Sequence, residues 1–266
     1  MDGKCGEMKI ITLTTDIGWE YAAQMKGVIF SINPDVKIVD ITHNISPQNI
    51  LEGAFILSQV ASYFHNAIHI GVVDPGVGTE RRAIIVDCEP SFFVGPDNGL
   101  LIPAAKKMGI KGVYEITEKK CMMDEISSTF HGRDIFAPIA AHLSLGKKAS
   151  MMGKEISAYE EIEFGKVERY KNEVRGKIIF IDSFGNIITN IPTNMLNFKQ
   201  GELATIVIGG KEIKARYFPT YGYAEKGEIL ITPSSFKFFE VSCREGNASS
   251  ILHAKNNESI VLRKSA

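Results

Sequence analysis

Acidic and imidazole side chains follow short apolar runs at several points in the first half of this 266-residue chain. Each run has the length and composition of a strand, and the carboxyl ends of parallel strands meet at one sheet edge, where open α/β sheets bind ligands. Carboxylates there can accept protons or bind hydroxyls, and imidazoles can hold water or a metal ion. Although Asp and Asn also form turns and helix caps, their number predicts a small-molecule site at this edge. The residues concerned are Asp16, Asp40, His43, Asp74, Asp97, Asn98, His131 and Asp134.

The sequence lacks several common catalytic and nucleotide-binding motifs, and their absence limits the reactions that the site could carry out. The sequence contains no GxxxxGK[ST], HExxH or GxSxG motif. Residues 76–81, GVGTER, begin like a dinucleotide-binding loop but carry Arg81 where that loop requires glycine. From the residues alone, the reaction at the sheet edge therefore stays open.

Composition argues against several classes of partner. The 30 Lys and Arg residues and 31 Asp and Glu residues give a net charge of −1, whereas binding to nucleic acid or to a membrane surface needs clustered basic charge. The segment MDGKCGEMKI at residues 1–10 lacks the apolar run of a signal peptide, and no stretch approaches the ~18 apolar residues of a membrane span. No two of the four cysteines form a CxxC motif. We therefore expect a cytoplasmic protein with free thiols and a small-molecule substrate.

The arrangement of apolar and polar segments predicts two domains. Strand-like and helix-like segments alternate through about residue 165, which predicts an α/β domain over residues 1–165 with a mostly parallel sheet covered on both faces. Within it, Ser46 and Pro47 predict the start of a helix over residues 48–63, and His69 is expected to be a core histidine. After a polar linker at about 151–171, short strands between glycine turns predict a smaller all-β domain over residues 172–266.

Eight motifs resemble those of the S-adenosylmethionine hydroxide adenosyltransferases, also called S-adenosylmethionine hydrolases, which are relatives of the fluorinase and chlorinase enzymes. The resemblance covers about residues 8–262, and the motifs around residues 74–79 and 131 are highly specific. In chain order the motifs are TTDIG (14–18), MKGVI (25–29), DITH (40–43), VVDPGVGT (72–79), GPDNGL (95–100), TFHGRDIF (129–136), IDSFGN (181–186) and TNI (189–191).

The resemblance implies hydrolysis of S-adenosyl-L-methionine to adenosine and L-methionine, by attack of water or hydroxide on the ribose 5′ carbon. It implies an Asp–Arg–His triad around that water, which falls on Asp74, Arg81 and His131. Because an aspartate is a weak base and a neighbouring arginine lowers its pKa further, Asp74 is expected to orient the water and to accept its proton late. Arg81 and His131 are expected to stabilise the developing hydroxide. The resemblance implies neither a cofactor nor a metal.

Substrate-binding residues are implied in both domains. Asp16 matches a carboxylate that accepts both ribose hydroxyls, Asp182 a residue that binds the substrate ammonium, and Asn186 an amide that reads the adenine edge. Phe184 and Tyr223 are candidates to stack on adenine, and core packing is the alternative role for both.

One stretch departs from the family pattern. The family has Asn-Ser, a variable residue and Gly shortly before a Leu-Glu pair, and the methionine carboxylate is held there. Here Phe239 and Glu240 match that pair, so that Ser234 replaces the asparagine and Lys237 the glycine. Ser234 and Ser235 are therefore the candidate contacts for the carboxylate.

The resemblance also implies a barrel-like second domain and a homotrimer, with each site between one subunit's first domain and its neighbour's second domain. The alternatives come from three other classes of protein. A halogenase would join halide to the same 5′ carbon, but halogenases carry an extra loop in the first domain and lack the triad. A metal-dependent hydrolase would use Asp16, Asp40, His43, Asp74 and His131 as ligands. A non-catalytic nucleoside-binding protein would bind S-adenosylmethionine or adenosine without turnover.

Overall fold

A computed structural model describes residues 10–264 of the chain. The chain divides into two compact units between Ile162 and Glu163. Cys88, Cys121 and Cys243 are buried free thiols, and Cys5 lies outside the described residues. In the part of the chain that the structure describes, no helix is both long and apolar enough to span a membrane.

The first unit is built on a seven-stranded sheet with the strand order β2-β1-β3-β5-β4-β6-β7. Its strands are β1 (Ile10–Thr15), β2 (Lys37–Thr42), β3 (Ile68–Val72), β4 (Ala83–Cys88), β5 (Ser91–Pro96), β6 (Gly112–Ile116) and β7 (Gly153–Glu155). Its helices are α1 (Gly18–Ile32), α2 (Ile50–Val60), α3 (Ile102–Met108) and α4 (Ala137–Ser144). Strands β2, β1, β3 and β5 pair in parallel, and β4, β6 and β7 extend the sheet antiparallel. The carboxyl ends of the four parallel strands therefore meet at one edge.

Both faces of this sheet are buried, as the nearly continuous apolar strands predict. One face packs against α1 and α4 in a cluster that includes Leu13, Met25 and Ile139. The other packs against α2 and α3 in a cluster that includes Leu57 and Phe93. The predicted α/β architecture is confirmed, and the rigid sheet fixes where the loops at its carboxyl edge begin.

His69 lies in the core of β3, as predicted. The side chain is fully buried, its Nδ1 lies 2.8 Å from the hydroxyl of Thr12, and its ring stacks on Phe93 at 4.7 Å. No hydrogen-bond partner for Nε2 occurs among the described residues. Burial lowers the pKa of His69 to about 4, so the folded chain holds this imidazole neutral.

We expect this buried imidazole to make folding stability depend on pH. Because a histidine in the unfolded chain has a pKa of about 6.5, the unfolded state binds the proton more tightly, and stability falls as the pH drops from 6.5 towards 4. Between pH 7.5 and pH 5 the loss from this residue is about 2 kcal/mol. Urea unfolding of the wild type and of His69→Gln measures it, because the variant keeps a polar group for Thr12 but does not titrate. An equal pH slope in both proteins would contradict the assignment.

The second unit is a closed antiparallel barrel with one parallel pairing. Its strands are β8 (Glu168–Tyr170), β9 (Glu173–Ile181), β10 (Ile187–Pro192), β11 (Leu203–Ile208), β12 (Lys211–Tyr217), β13 (Ile229–Pro233), β14 (Phe238–Cys243) and β15 (Ser259–Lys264), and α5 (Ala248–Leu252) precedes β15. The order is β10-β14-β13-β12-β11-β15-β9-β8, and pairing of β10 with β9 closes seven of the strands into a ring. Closure leaves those seven strands without a free edge. The predicted smaller, barrel-like β domain is confirmed.

Candidate functional site

A tight loop after β3 folds Arg81 back onto Asp74. Within it, the backbone N–H of Val77 donates to the carbonyl of Asp74, and the N–H and hydroxyl of Thr79 both donate to the carbonyl of Gly76. The Arg81 guanidinium then meets the Asp74 carboxylate with two parallel bonds, Nη2 to Oδ2 at 2.6 Å and Nε to Oδ1 at 3.1 Å. This bidentate geometry fixes both side chains.

His131 completes the group from a different part of the chain. Its Nδ1 lies 3.0 Å from Nη2 of Arg81. Since a guanidinium has only donors, Nδ1 must accept, and the neutral ring then carries its proton on Nε2. His131 directly precedes a π-helical turn, Gly132–Phe136, that runs into α4, and such turns often occur at functional sites. The structure thus brings together the three residues of the predicted triad.

Gly78 allows the two loops of the triad to pack together. Its φ of +76° lies in the left-handed region, and a Cβ there would collide with the carbonyl oxygen of Ser128. The loop over residues 74–81 therefore rests directly on the backbone of the segment that leads to His131. Any side chain at Gly78 would separate the loops and also strain the backbone.

Burial sets the protonation of the triad. It raises the pKa of Asp74, and the Arg81 guanidinium and His131 offset this effect only in part. The expectation that Arg81 would leave Asp74 with a pKa below its ordinary value is therefore wrong, because burial outweighs the ion pair. Burial, followed by the charge of Arg81, lowers the pKa of His131. Asp74 is consequently a stronger base than an exposed aspartate, and His131 is neutral near pH 7.

A cavity of about 370 Å³ connects Asp74 and His131 with Asp16, which follows β1. Asp16 Oδ2 accepts a hydrogen bond of 2.8 Å from the backbone N–H of Gln48. Gln48 itself has a φ of +65° and lines the cavity. The full lining is Asp16, Ile17, Pro47, Gln48, Val72, Asp74, Pro75, Val77, Thr129, Phe130, His131 and Gly132.

The sequence did not single out Gln48. The expected helix over residues 48–63 begins later, at Ile50, because the Asn49 side chain caps it by accepting the N–H of Glu52. Gln48 therefore lies outside the helix. If Asn49 instead of Ser46 is taken as the N-cap, the sequence predicts that Gln48 lies in the preceding loop. This is the one sequence signal that could have identified Gln48 as a cavity residue.

The other candidates at the sheet edge do not line this cavity. Asp97 forms an ion pair of 2.6 Å with Arg82 and also accepts the N–H of Glu160 at 2.8 Å. Asp134 forms an ion pair of 2.6 Å with Arg133. Asn98 donates to the carbonyl of Val73, while Asp40 and His43 bond to each other. These five side chains fasten loops, as Asp and Asn commonly do at such positions.

Three predicted binding residues of the second unit lie together. Asp182 Oδ1 accepts the N–H groups of Phe184 and Asn186, both at 2.9 Å, and its Oδ2 accepts the Asn186 side-chain amide at 2.9 Å. They line a depression of about 470 Å³, together with Tyr221 and Arg244 among others. Phe184 is 75% exposed, so its ring is not core packing and is available to a planar ligand.

Tyr223 does not lie in this depression. It lines a separate one with Arg216, Phe218 and Glu228. Tyr221 lies beside Asp182 instead, and its hydroxyl donates to the buried Glu240 at 2.7 Å. The sequence Tyr221-Gly222-Tyr223 contains both rings within one turn, and nothing in that spacing shows which of them faces Asp182.

Ser234 and Ser235 lie in the turn between β13 and β14. Ser234 is buried, and its hydroxyl accepts the N–H of Phe236 at 3.3 Å, whereas Ser235 is exposed. Neither lines the depression around Asp182. Lys237 has a φ of +66°, so it keeps the left-handed backbone for which glycine is suited.

The structure also bears on metal binding. Across residues 10–264, no group of three or more His, Cys, Asp or Glu side chains could hold a metal ion. The candidate ligands of a metal-dependent hydrolase thus do not converge on one point.

Comparison with known proteins agrees with the geometry. Residues 11–153 match the family model "SAM hydroxide adenosyltransferase N-terminal domain", and residues 176–261 match the corresponding C-terminal domain model. An (R)-S-adenosyl-L-methionine hydrolase from Methanocaldococcus jannaschii is 37% identical, with 92% of each chain covered. A fluorinase from Actinoplanes is 27% identical, with 68% of this chain and 71% of the relative covered. The crystal structure of an uncharacterized conserved protein from Thermotoga maritima superposes with a TM-score of 0.89 at 35% identity, covering 96% of this chain and 100% of that one.

Two domain models in the expected order and a relative that matches over nearly its whole length agree on one assignment, and a solved structure shares the fold. This chain belongs to the SAM hydroxide adenosyltransferase family.

Proposed function

We propose that this chain hydrolyses S-adenosyl-L-methionine to adenosine and L-methionine. The observation that carries the proposal is the half-buried Asp74–Arg81–His131 group, in which Asp74 and His131 line one cavity with Asp16. A carboxylate with a raised pKa beside a neutral imidazole suits the activation of water. The names of the hydrolase relatives support the same reaction.

The proposed step is a single displacement at the ribose 5′ carbon. The water oxygen forms a bond to that carbon as the carbon–sulfur bond breaks, and the bonding electrons return to sulfur. Because the sulfonium leaves as a neutral thioether, the leaving group needs no proton. The water loses one proton, which Asp74 accepts, and adenosine and methionine result.

The other triad residues have distinct roles in this step. The Nε2–H of His131 donates to the water oxygen and orients it, since Nδ1 is already bonded to Arg81. Arg81 also donates to Asp74 and to the carbonyl of Arg82, so it mainly positions its two partners. Fixed alignment of water and carbon can lower the barrier by up to about 7–11 kcal/mol.

Substrate binding is divided between the two units. We propose that Asp16 accepts the ribose hydroxyls, that Asp182 and Asn186 bind the ammonium and the adenine edge, and that Phe184 stacks on adenine. Tyr223 as a second stacking ring, and Ser234 and Ser235 as contacts for the methionine carboxylate, remain predictions from the resemblance.

The name of the hydrolase relatives, (R)-S-adenosyl-L-methionine hydrolase, specifies a stereoisomer. Since "L" already defines the α carbon of methionine, "(R)" refers to the sulfonium sulfur, which is one of the two atoms of the broken bond. We propose that this chain also acts on the (R)-sulfonium form, and the test below uses both forms.

Product analysis tests the function directly. Purified protein is incubated with each sulfonium form in halide-free buffer that contains a chelator, and the products are separated by liquid chromatography. We expect adenosine and methionine in equal amounts. Turnover only with added fluoride or chloride would favour a halogenase, turnover only with added metal would favour a metal-dependent hydrolase, and binding without turnover would favour a nucleoside-binding protein.

We predict that activity is lost in acid. The mechanism needs Asp74 ionised and His131 neutral, and both conditions hold above the pKa of each group. The pKa of Asp74 lies above its ordinary 3.8 and that of His131 below its ordinary 6.5, so kcat/KM should rise between about pH 4 and 6.5 and stay level to pH 8. Initial rates in constant-ionic-strength buffers measure this profile. A steady decline from pH 5 to pH 8 would contradict it.

The division of the binding residues also bears on assembly. We propose a homotrimer in which the cavity of one subunit is completed by the second unit of its neighbour, as the family resemblance implies. Light scattering should then give three chain masses. The free thiols of Cys88, Cys121 and Cys243 support a reducing compartment, and we propose the cytoplasm.

A further inference from the structure

A chain of four hydrogen-bonded side chains ends at the residue before Asp16 and contains none of the triad residues. Lys26 Nζ on α1 contacts Asp40 Oδ2 at 2.6 Å, and Asp40 Oδ1 contacts His43 Nε2 at 2.9 Å. The other ring nitrogen, Nδ1 of His43, lies 2.8 Å from the hydroxyl of Thr15 at the end of β1. The chain thus runs from α1 through β2 to the residue immediately before Asp16.

The directions of these bonds follow from the partners. Burial raises the pKa of Asp40, but the hydrogen bonds from Lys26 and His43 outweigh it and hold the pKa below its ordinary value. The ionised carboxylate can only accept, so His43 donates through Nε2. Its Nδ1 is then the acceptor for the Thr15 hydroxyl when the ring is neutral.

A nucleophilic role for this chain does not fit the burial. The order hydroxyl, imidazole and carboxylate is that of a hydrolase triad. The Thr15 side chain, however, is fully buried, and neither it nor His43 lines the cavity. Because the substrate cannot reach Thr15 or His43, any effect of these two residues on the reaction must come from the neighbouring residues that they position.

What His43 holds is the turn that carries Asp16. Its ring bonds to the Thr15 hydroxyl, and its backbone carbonyl accepts the N–H of Gly18 at 3.2 Å. Its ring and that of Trp19 form a T-shaped contact with centroids 4.8 Å apart. Asp16 lies between two residues that His43 fixes. His43 thus holds the backbone on both sides of Asp16, and the Gln48 N–H bonds to the Asp16 carboxylate at 2.8 Å.

We propose that His43 is the positioning residue for Asp16, supported by Asp40 and Lys26. This inference rests on the proposed function, because it takes the ribose as the ligand of Asp16. Without His43 the Asp16 carboxylate samples several orientations, and the two hydroxyls of the ribose lose their common acceptor.

The test compares adenosine with 2′,3′-dideoxyadenosine, which lacks both hydroxyls. His43→Phe keeps a ring in the site and removes the side-chain hydrogen bonds to Thr15 and Asp40, whereas the backbone bond from Gly18 to residue 43 is kept. We expect it to weaken adenosine binding about tenfold, the effect of losing well-aligned bonds to a charged group, and to leave dideoxyadenosine binding unchanged. Calorimetry on the intact protein measures both. Steady-state kinetics should show the loss mainly in KM, whereas Asp74 variants lose kcat.

A matched control is the histidine that bonds to another threonine of β1. His69 is buried and bonded to Thr12 of β1, just as His43 is bonded to Thr15, but it faces the core. His69→Gln should leave the affinity for both nucleosides unchanged. If His43→Phe does not fold, His43→Gln, which can satisfy one of the two partners, should give a smaller loss with the same selectivity for adenosine.

The results of these experiments distinguish the positioning role of His43 from the proposed hydrolysis. Equal losses for both nucleosides, or no loss for adenosine, would overturn the positioning role. Failure of the wild type to bind adenosine at all would overturn it as well. A wild type that binds adenosine but releases no methionine from the substrate would overturn the proposed hydrolysis alone.

Discussion

Replacing Asp74 with asparagine is expected to lower kcat by about 10²–10⁴-fold, the usual contribution of a group that takes a proton in the transition state. The amide has the same shape, but it cannot accept the proton of water and has lost the charge that holds Arg81. Substrate binding should be largely kept, since Asp16 and the second unit are untouched. Single-turnover rates and equilibrium binding of the substrate measure the two effects separately.

The neighbouring ion pair provides the control for this variant. Asp97 is also buried, at 5% exposure, and lies 2.6 Å from an arginine, but it does not line the cavity. Asp97→Asn should therefore disturb folding in a similar way while kcat changes by less than about threefold. If Asp97→Asn and Asp74→Asn lose equal activity, the loss comes from the fold and not from the chemistry.

Replacing Arg81 with lysine is expected to lower kcat by about 10²–10³-fold, although the charge is kept. A lysine is a point charge on a flexible stem and cannot make the bidentate contact with Asp74. It also cannot reach His131 Nδ1 at the same time, so the imidazole loses the bond that fixes its tautomer. Electrostatic groups that are aligned in advance typically contribute about this much.

Arg82 is the matched control, one residue further along. Arg82→Lys removes a guanidinium that pairs with Asp97 and with the carbonyl of Ala158, so its effect on kcat should be small. Added guanidinium ion should restore part of the activity of Arg81→Ala but not of Asp74→Asn. A fully active Arg81→Lys would show that charge alone suffices, and would contradict the positioning role.

The sequence was sufficient to predict which edge of the sheet carries the candidate cavity. Apolar runs of strand length followed by Asp16 and Asp74 predicted one edge of a parallel sheet, because strand direction and side-chain burial both follow from local pattern. Arg81 came only from the family resemblance, and so did the place of His131 in a triad with Asp74. Their distance from Asp74 depends on a loop conformation and on a π-helical turn, neither of which a residue pattern specifies.

What the sequence could not predict depends on tertiary burial and backbone conformation. The sign of the pKa shift of Asp74 follows from how deeply the ion pair is covered, so the presence of Arg81 alone gave the wrong direction. Gln48 reaches the cavity through a left-handed backbone that its residue type does not favour. Which of Tyr221 and Tyr223 lies beside Asp182 depends on which hydroxyl bonds to the buried Glu240.

The contact between Gly78 and the backbone of Ser128 also bears on how catalytic residues are identified by mutation. Substitution at Gly78 should affect turnover because it would separate the two loops. The side chain of glycine is a single hydrogen atom and takes no part in the reaction. A survey that ranks positions by their intolerance to replacement would therefore place Gly78 beside Asp74. In this fold, a loss of turnover on substitution can therefore have two causes. Either the residue reacts, or its small size allows two backbone segments to pack closely.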